Sequence, residues 1–96
     1  MNIYEDINSL ELNEMIKNKE KFILLDVRTE EEYEASHIPN AINIPLNNLE
    51  SQIEHLLPYK DDKVVIYCRS GRRSITMIYT HIVDDGYEDA LKNFRR

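Results

Sequence analysis

Two almost uninterrupted apolar segments constrain the fold of this chain more than any other feature. They are Phe22–Val27 and Lys63–Tyr67, and the second is rich in β-branched residues. A strand with one face in water alternates apolar and polar side chains, whereas a strand covered on both faces reads as a continuous apolar run. The segments therefore predict a small α/β domain with a mainly parallel sheet flanked by helices on both faces.

The remaining patterns predict short helices and one more strand between and beside these two segments. Cap residues and prolines mark their ends, because a cap side chain begins a helix and proline stops one. In chain order we predict a helix from the N-cap Ser9 to about Asn18, a short helix with the capping box Thr29 and Glu32, a strand at Ala41–Ile44, and a helix from Leu46 to about Leu57 that stops at Pro58.

The only cysteine follows the second apolar segment and is adjoined by basic residues, in the run Cys68-Arg69-Ser70-Gly71-Arg72-Arg73-Ser74. Beyond it, Ile75, Ile78 and Ile82 recur at helical spacing, so we predict strand, tight loop and helix. The amides of residues 69 to 73 would then converge on one point at the start of the helix, which is a favourable place for an anion.

In that setting we expect the pKa of Cys68 to be lowered. Guanidinium charge, amide hydrogen bonds and the helix terminus all favour the thiolate. Gly71 suits a backbone that turns back or approaches a ligand closely. The alternative is a small buried hydrophobe, which free cysteine often is. Three adjoining arginines cannot be buried unpaired, so the reactive thiolate is the favoured interpretation.

Composition limits the classes of function that a chain like this can have. We expect one domain over residues 1–96, and the formal charge of -6 argues against nucleic acid as the main partner. Neither an export signal nor a membrane-spanning run is visible, and a single cysteine without an internal disulfide fits the cytoplasm. His37, His55 and His81 do not show metal-ligand spacing with other residues, so we predict no metal and no cofactor.

With these residues in place, the chain resembles a single-domain rhodanese, a sulfurtransferase module. Three motifs carry the resemblance and cover most of residues 9 to 87 in the family's order: Leu24–Arg28 with Glu32 and Tyr33, then His37–Pro45, and finally Val65–Ser74. The resemblance implies that a sulfane sulfur donor such as thiosulfate gives its outer sulfur to Cys68. The persulfide then passes that sulfur to a thiol, a protein acceptor or cyanide, and the second nucleophile must come from outside because the chain has no other cysteine.

The resemblance also implies roles for individual residues. The residues expected to bind the anionic donor are Arg69, Ser70, Gly71, Arg72, Arg73 and Ser74. Supporting roles fall to Asp26, Arg28 and His37, with Asp26 anchoring a loop amide or an arginine and His37 held as a hydrogen-bonded turn residue. An ion pair between Arg28 and Glu32 across the short helix is a further expectation.

Some positions depart from the family pattern. Ser36 and Asn40 stand where relatives often carry glycine. A turn tolerates both replacements, and asparagine can adopt a left-handed conformation. After Gly86-Tyr87 the chain has no glycine pair, and we expect it to lack the usual C-terminal closing helix. The side left open would suit a protein partner or self-association into a homo-oligomer.

Two other functions are open. Cysteine-dependent phosphatases and arsenate reductases also use a thiolate in an amide-lined loop, often with the pattern H-C-x5-R. Here Tyr67 replaces the histidine and Arg73 is only the fifth residue after Cys68, which gives a tighter loop suited to a single sulfur. The domain could instead be a binding or regulatory module that keeps the loop without turnover, although such a module has no need for an unpaired thiolate.

Overall fold

The computed structural model describes residues 4–70, 73–79 and 87–94. Within these ranges it contains five strands, β1 (Tyr4–Asp6), β2 (Phe22–Asp26), β3 (Ile42–Asn43), β4 (Lys63–Ser70) and β5 (Arg73–Tyr79), and four α-helices, α1 (Ser9–Lys17), α2 (Glu30–Ala35), α3 (Leu49–Gln52) and α4 (Tyr87–Phe94). Two 3-10 segments, Leu46–Asn48 and Ile53–Tyr59, flank α3. None of the helices in the described ranges is long and apolar enough to cross a bilayer.

The strands form one mixed sheet in the order β1-β5-β4-β2-β3. β2 runs parallel to β3 and β4, whereas β5 is antiparallel to both β4 and β1. The α/β architecture with helices on both faces is therefore as predicted, but the sheet is not mainly parallel. The reason is that the chain reverses after β4 and returns beside it as β5.

The predicted helix that begins at Ser74 is wrong for the residues described, because residues 73–79 form β5. Ile75, Thr76 and Ile78 are β-branched, and such side chains lose rotamer freedom in a helix but pack well on a pleated surface. Ile78 and Tyr79 pack on opposite faces of the sheet, as strand neighbours do. The continuation of the expected helix beyond Tyr79 lies outside the described residues.

The expectation that a closing helix is missing is also wrong. Residues 87–94 form α4, which begins at Tyr87. Ala90 is fully buried and Phe94 is 5% exposed, and both belong to the core. Their spacing of four residues places them on one face of the helix, and this apolar face, rather than a glycine pair, lets the segment close against the sheet.

Helix ends follow the sequence closely, with one shift. Asn8, and not Ser9, is the N-cap of α1, because its side chain accepts the hydrogen bond from the Glu11 amide and the reciprocal bond completes a capping box. The capping box of Thr29 and Glu32 begins α2 as predicted. The helix expected over residues 46–57 is divided into α3 and its two 3-10 segments, the second of which includes Pro58.

Two apolar clusters cover the two faces of the sheet. The first lies under α3 and α4 and contains Leu25, Val27, Ile44, Leu49, Leu56, Val64, Ile66, Tyr79, Ala90 and Phe94. The second lies under α1 and contains Ile7, Leu12, Met15, Leu24, Ala41 and Val65, with Tyr33 of α2 and Tyr67 packed against it. Alternation along β4 places Cys68 against the first cluster and Tyr67 against the second.

Candidate functional site

A cavity of about 500 Å³ opens where β4 continues past the end of β2. Asp26 and Tyr67 are the last paired residues of these two strands, so Cys68 is the first residue of β4 beyond the pairing. Residues that line the cavity include Arg28, Ser36, His37, Tyr67, Cys68 and Thr76. Cys68 therefore lies at the carboxyl end of a parallel strand pair, where ligands bind in folds of this class.

A buried ion pair forms one wall of the cavity. Asp26 is 0% exposed, and its carboxylate accepts hydrogen bonds from Nε of Arg28 at 3.1 Å to each oxygen and from Nη2 at 2.8 Å. The backbone N–H of Arg28 donates to the same carboxylate at 2.8 Å. Asp26 thus anchors both an arginine and a loop amide, as expected, whereas Arg28 pairs with Asp26 rather than with Glu32.

These contacts set the ionisation of the wall. Burial alone would raise the pKa of Asp26, but hydrogen bonds from Arg28 and Tyr67 hold that pKa below its ordinary value. The hydrogen bond to Asp26 raises the pKa of Arg28. Burial, with the hydrogen bond to Asp26, raises the pKa of Tyr67 to about 12. At neutral pH the wall therefore consists of a carboxylate, a guanidinium and a neutral phenol.

The same wall fixes the loop that carries His37. Nη2 of Arg28 donates to the Ser36 carbonyl at 2.7 Å, and the Ile38 amide donates to the Tyr67 hydroxyl at 3.3 Å. Nδ1 of His37 lies 2.7 Å from the Tyr33 carbonyl oxygen. The His37 ring is thus hydrogen-bonded, as expected, and lies in the loop that follows α2. Asn40, two residues beyond Ile38, has φ 72°, the left-handed conformation expected of this asparagine.

Cys68 is half-buried, and its pKa is raised instead of lowered. Burial is the main cause, the carboxylates of Glu32 and Asp26 add to it, and the positive charge of Arg28 opposes it. The expected lowering of the pKa is therefore not found among the described residues. The physical reason is that Cys68 lies inside a strand, opposite Ile75, and not at the opening of a loop that leads into a helix.

The expected anion loop is a hairpin in the described part of the chain. Arg69 pairs with Ser74, and Ser70 pairs with Arg73, so these backbones belong to the β4–β5 ladder. Gly71 and Arg72 lie outside the described residues, as do the side chains of Arg69, Ser70, Arg73 and Ser74. Their assignment to donor binding stays a prediction.

Sequence reasoning missed the two tyrosines that organise this site. Tyr67 bonds the Ile38 amide, and Tyr33 donates its hydroxyl to the Ala41 carbonyl at 2.7 Å. A signal was available, because a tyrosine among aliphatic core residues must find a partner for its hydroxyl. Within the described ranges, no group of three or more His, Cys, Asp or Glu side chains is arranged to hold a metal ion.

Comparison with known proteins gives consistent matches. The family model of the Rhodanese-like domain matches residues 9–95. The chain is 39% identical over 69 residues to the thiosulfate sulfurtransferase PspE of Escherichia coli, an alignment that covers 65% of this chain and 66% of that protein. It is 36% identical over 74 residues to the adenylyltransferase and sulfurtransferase UBA4 of Candida albicans, covering 71% of this chain and 17% of that protein.

A third relative has a different described activity. The chain is 32% identical over 76 residues to a tRNA uridine(34) hydroxylase of Buchnera aphidicola, with 75% of this chain and 24% of that protein covered. The chain therefore spans less than two thirds of the length of each of these three relatives. The proteins that match this chain thus have several different described activities.

Proposed function

The chain belongs to the rhodanese-like domain family, and we propose that it is a sulfurtransferase that carries sulfane sulfur as a persulfide on Cys68. Its relatives include two proteins named as sulfurtransferases, which supports sulfur transfer in general. The single observation that carries the specific proposal is the position of the one cysteine in the chain. Cys68 is among the residues that line the cavity at the carboxyl end of the paired strands β2 and β4.

With thiosulfate as donor, the first step is a displacement at sulfur. The Cys68 thiolate attacks the outer sulfur of thiosulfate, the S–S bond of the donor breaks, and its electron pair leaves on sulfite. In the second step an acceptor attacks the outer sulfur of the persulfide, and the Cys68 thiolate is released. A thiol, cyanide or a sulfur-accepting protein would each serve as acceptor, and the reducing cytoplasm would supply the first.

The raised pKa of Cys68 places a requirement on the first step. Only the thiolate is nucleophilic, so the donor-bound site must favour the anion more than the described residues do. We assign this role to the positive charges of Arg69, Arg72 and Arg73, with Ser70, Gly71 and Ser74 completing the donor site. Supporting roles fall to Asp26, Arg28 and His37, whose hydrogen bonds hold the wall of the cavity and its neighbouring loop in place.

A mass measurement tests the proposal. Purified protein is incubated with thiosulfate, and its intact mass is measured before and after cyanide is added. We expect one additional sulfur on the wild type, removed by cyanide, and none on Cys68→Ser. Hydrolysis of p-nitrophenyl phosphate that depends on Cys68 would instead favour the phosphatase alternative.

One observation favours a second candidate, a module that binds a partner without turnover. A thiol whose pKa is raised is mostly protonated at neutral pH, as in a structural cysteine. If the wild type takes up no cyanide-labile sulfur at any donor concentration, the binding module becomes the better interpretation.

A further inference from the structure

A second cavity, of about 670 Å³, lies between α1 and the β1 edge of the sheet, and we call it the α1 groove. Among the residues that the structure describes, it shares none of its lining with the cavity of Cys68. Its floor is apolar, because Ile7, Met15 and Ile78 belong to the second cluster or pack against it. Leu10 also lines the groove and is 72% exposed. An exposed leucine is ordinary on its own, but beside an apolar floor it enlarges the surface that can receive an apolar side chain.

The rim of the α1 groove is acidic. Four exposed glutamates line it against a single lysine, and these residues are Glu5, Glu11, Glu14, Glu20 and Lys63. Lys63 is paired with Glu20 at 3.9 Å, and Glu11 is held in the capping box of α1. Glu5 and Glu14 form no ion pair with any residue that the structure describes. Two carboxylates of the rim therefore lack a counter-charge in the described part of the chain.

The arrangement of these charges selects the kind of ligand. No three or more His, Cys, Asp or Glu side chains in the described ranges are arranged to hold a metal ion, so the carboxylates of the rim are not gathered around one point. They match instead several separate positive charges on one ligand. Nucleic acids and anionic lipid surfaces would be repelled, since both are negatively charged. A basic protein segment with an apolar side chain complements both the rim and the floor.

We propose that the α1 groove is a docking site for a basic segment of a partner protein. Lysine or arginine side chains of the segment lie against Glu5 and Glu14, and one apolar side chain lies on the floor beside Leu10. This inference goes beyond the proposed function and is independent of it, because docking needs no chemistry at Cys68. Cys68→Ser should leave docking unchanged, and a variant that cannot dock should still take up sulfur from thiosulfate.

The test measures binding of a defined peptide to the full chain. The probe is a short fluorescein-labelled synthetic peptide in which lysines flank one leucine, and its fluorescence anisotropy is followed as protein is added. Two further peptides carry glutamate in place of lysine or serine in place of leucine, and we expect both to bind more weakly. Binding of the probe should weaken as NaCl is raised, because the screening length falls from about 10 Å at 0.1 M to about 3 Å at 1 M.

Two pairs of variants assign the binding to the groove. Glu14→Gln keeps the size of the side chain and removes one charge, so we expect it to lower the affinity for the probe about two- to threefold, as loss of an exposed ion pair does. Its matched control is Glu50→Gln, which removes an exposed glutamate from α3 on the other face of the sheet. Leu10→Ser should lower the affinity at least about fivefold, because apolar surface is no longer buried on binding. Its matched control is Leu57→Ser, at a leucine that is 52% exposed in the second 3-10 segment.

The proposal is supported if Glu14→Gln and Leu10→Ser both weaken binding and their controls do not. If the control variants lose as much affinity, the peptide binds the acidic surface in general and the proposal is wrong. A loss in only one of the two groove variants also overturns it, because docking requires both the charge and the apolar contact. A wild type that binds none of the three peptides excludes the site altogether. Sedimentation velocity covers the remaining occupant, since dimers of the wild type that Leu10→Ser dissociates would assign the groove to a second copy of this chain instead.

Discussion

At the scale of single residues, the Asp26 carboxylate holds several parts of this site in place. It is a carboxylate inside an apolar strand, and such a charge is tolerated only when it is paired and hydrogen-bonded. Its partner Arg28 also donates a hydrogen bond to the Ser36 carbonyl. Tyr67, which is hydrogen-bonded to Asp26, accepts a hydrogen bond from the Ile38 amide. One buried charge therefore holds the cavity wall and the His37 loop in place.

Replacing Asp26 by Asn should destabilise the domain strongly. The amide keeps the volume but leaves the Arg28 guanidinium, whose side chain is 11% exposed, without its counter-charge. Removing one partner of a buried pair costs about 3–5 kcal/mol in the free energy of unfolding. Urea denaturation measures this change. Asp62→Asn is the matched control, because the pair of Asp62 with the 87% exposed Lys21 should contribute less than about 1 kcal/mol. Equal losses in the two variants would contradict this account of the wall.

The protonation of Cys68 gives a second prediction at this scale. A raised pKa means that the thiolate fraction at neutral pH is smaller than that of an ordinary cysteine and grows only as the pH rises further. We expect the rate of alkylation by iodoacetamide to have its midpoint above about 8.5, the value of a free thiol. Urea-unfolded protein supplies the reference curve. A midpoint below about pH 7 would show that residues 69–73 stabilise the thiolate as the sequence first suggested.

At the scale of elements, the sequence predicts caps and buried strands well and the partner of β4 poorly. Thr29 and Glu32 encode their capping box within four residues, and the apolar run of β2 follows from its burial on both faces. In contrast, Ile75 and Ile78 satisfy a helical spacing and a β-branched strand equally. The pairing of Cys68 with Ile75, which decides between the two, is a tertiary contact that a local pattern does not contain.

Backbone chemical shifts test β5 directly. In the free protein we expect the ¹³Cα secondary shifts of residues 73–79 to be negative, as in a strand, because their backbones pair with β4 and those of residues 77–79 also pair with β1. The shifts of α1, over Ser9–Lys17, should be positive and serve as the internal control. Positive shifts over residues 73–79 would restore the strand, loop and helix arrangement, and with it the cup of amides around Cys68.

At the scale of the whole molecule, the site arises from topology. The parallel pairing of β2 with β4 brings Asp26 beside Tyr67, although the two residues are far apart along the chain, and the cavity lies just past this pair. Sequence reasoning placed Cys68 at such a strand end because the rule for α/β sheets is general. It could not give the Tyr67 contacts, which depend on the register of the two strands.

Charge at this scale yields a final prediction about donor binding. The formal net charge of -6 repels a dianion such as thiosulfate, while Arg69, Arg72 and Arg73 lie within five positions of the sulfur in sequence. Screening extends over about 8–10 Å at moderate salt, so the charges nearest to Cys68 should govern the last part of the approach. If these arginines bind the donor, raising the NaCl concentration should lower kcat/KM for thiosulfate several-fold.

Arg73→Ala should weaken use of the donor and flatten this salt dependence, because one of the attracting charges is removed. Lys17→Ala provides the matched control, since it also removes one positive charge, but from the last turn of α1. Discharge of the loaded persulfide to neutral 2-mercaptoethanol should depend little on salt in all three proteins. A rate with thiosulfate that instead rises with salt would mean that the overall negative charge dominates the approach. The donor site would then have to be sought on the Arg28 wall of the cavity rather than in the run from Arg69 to Arg73.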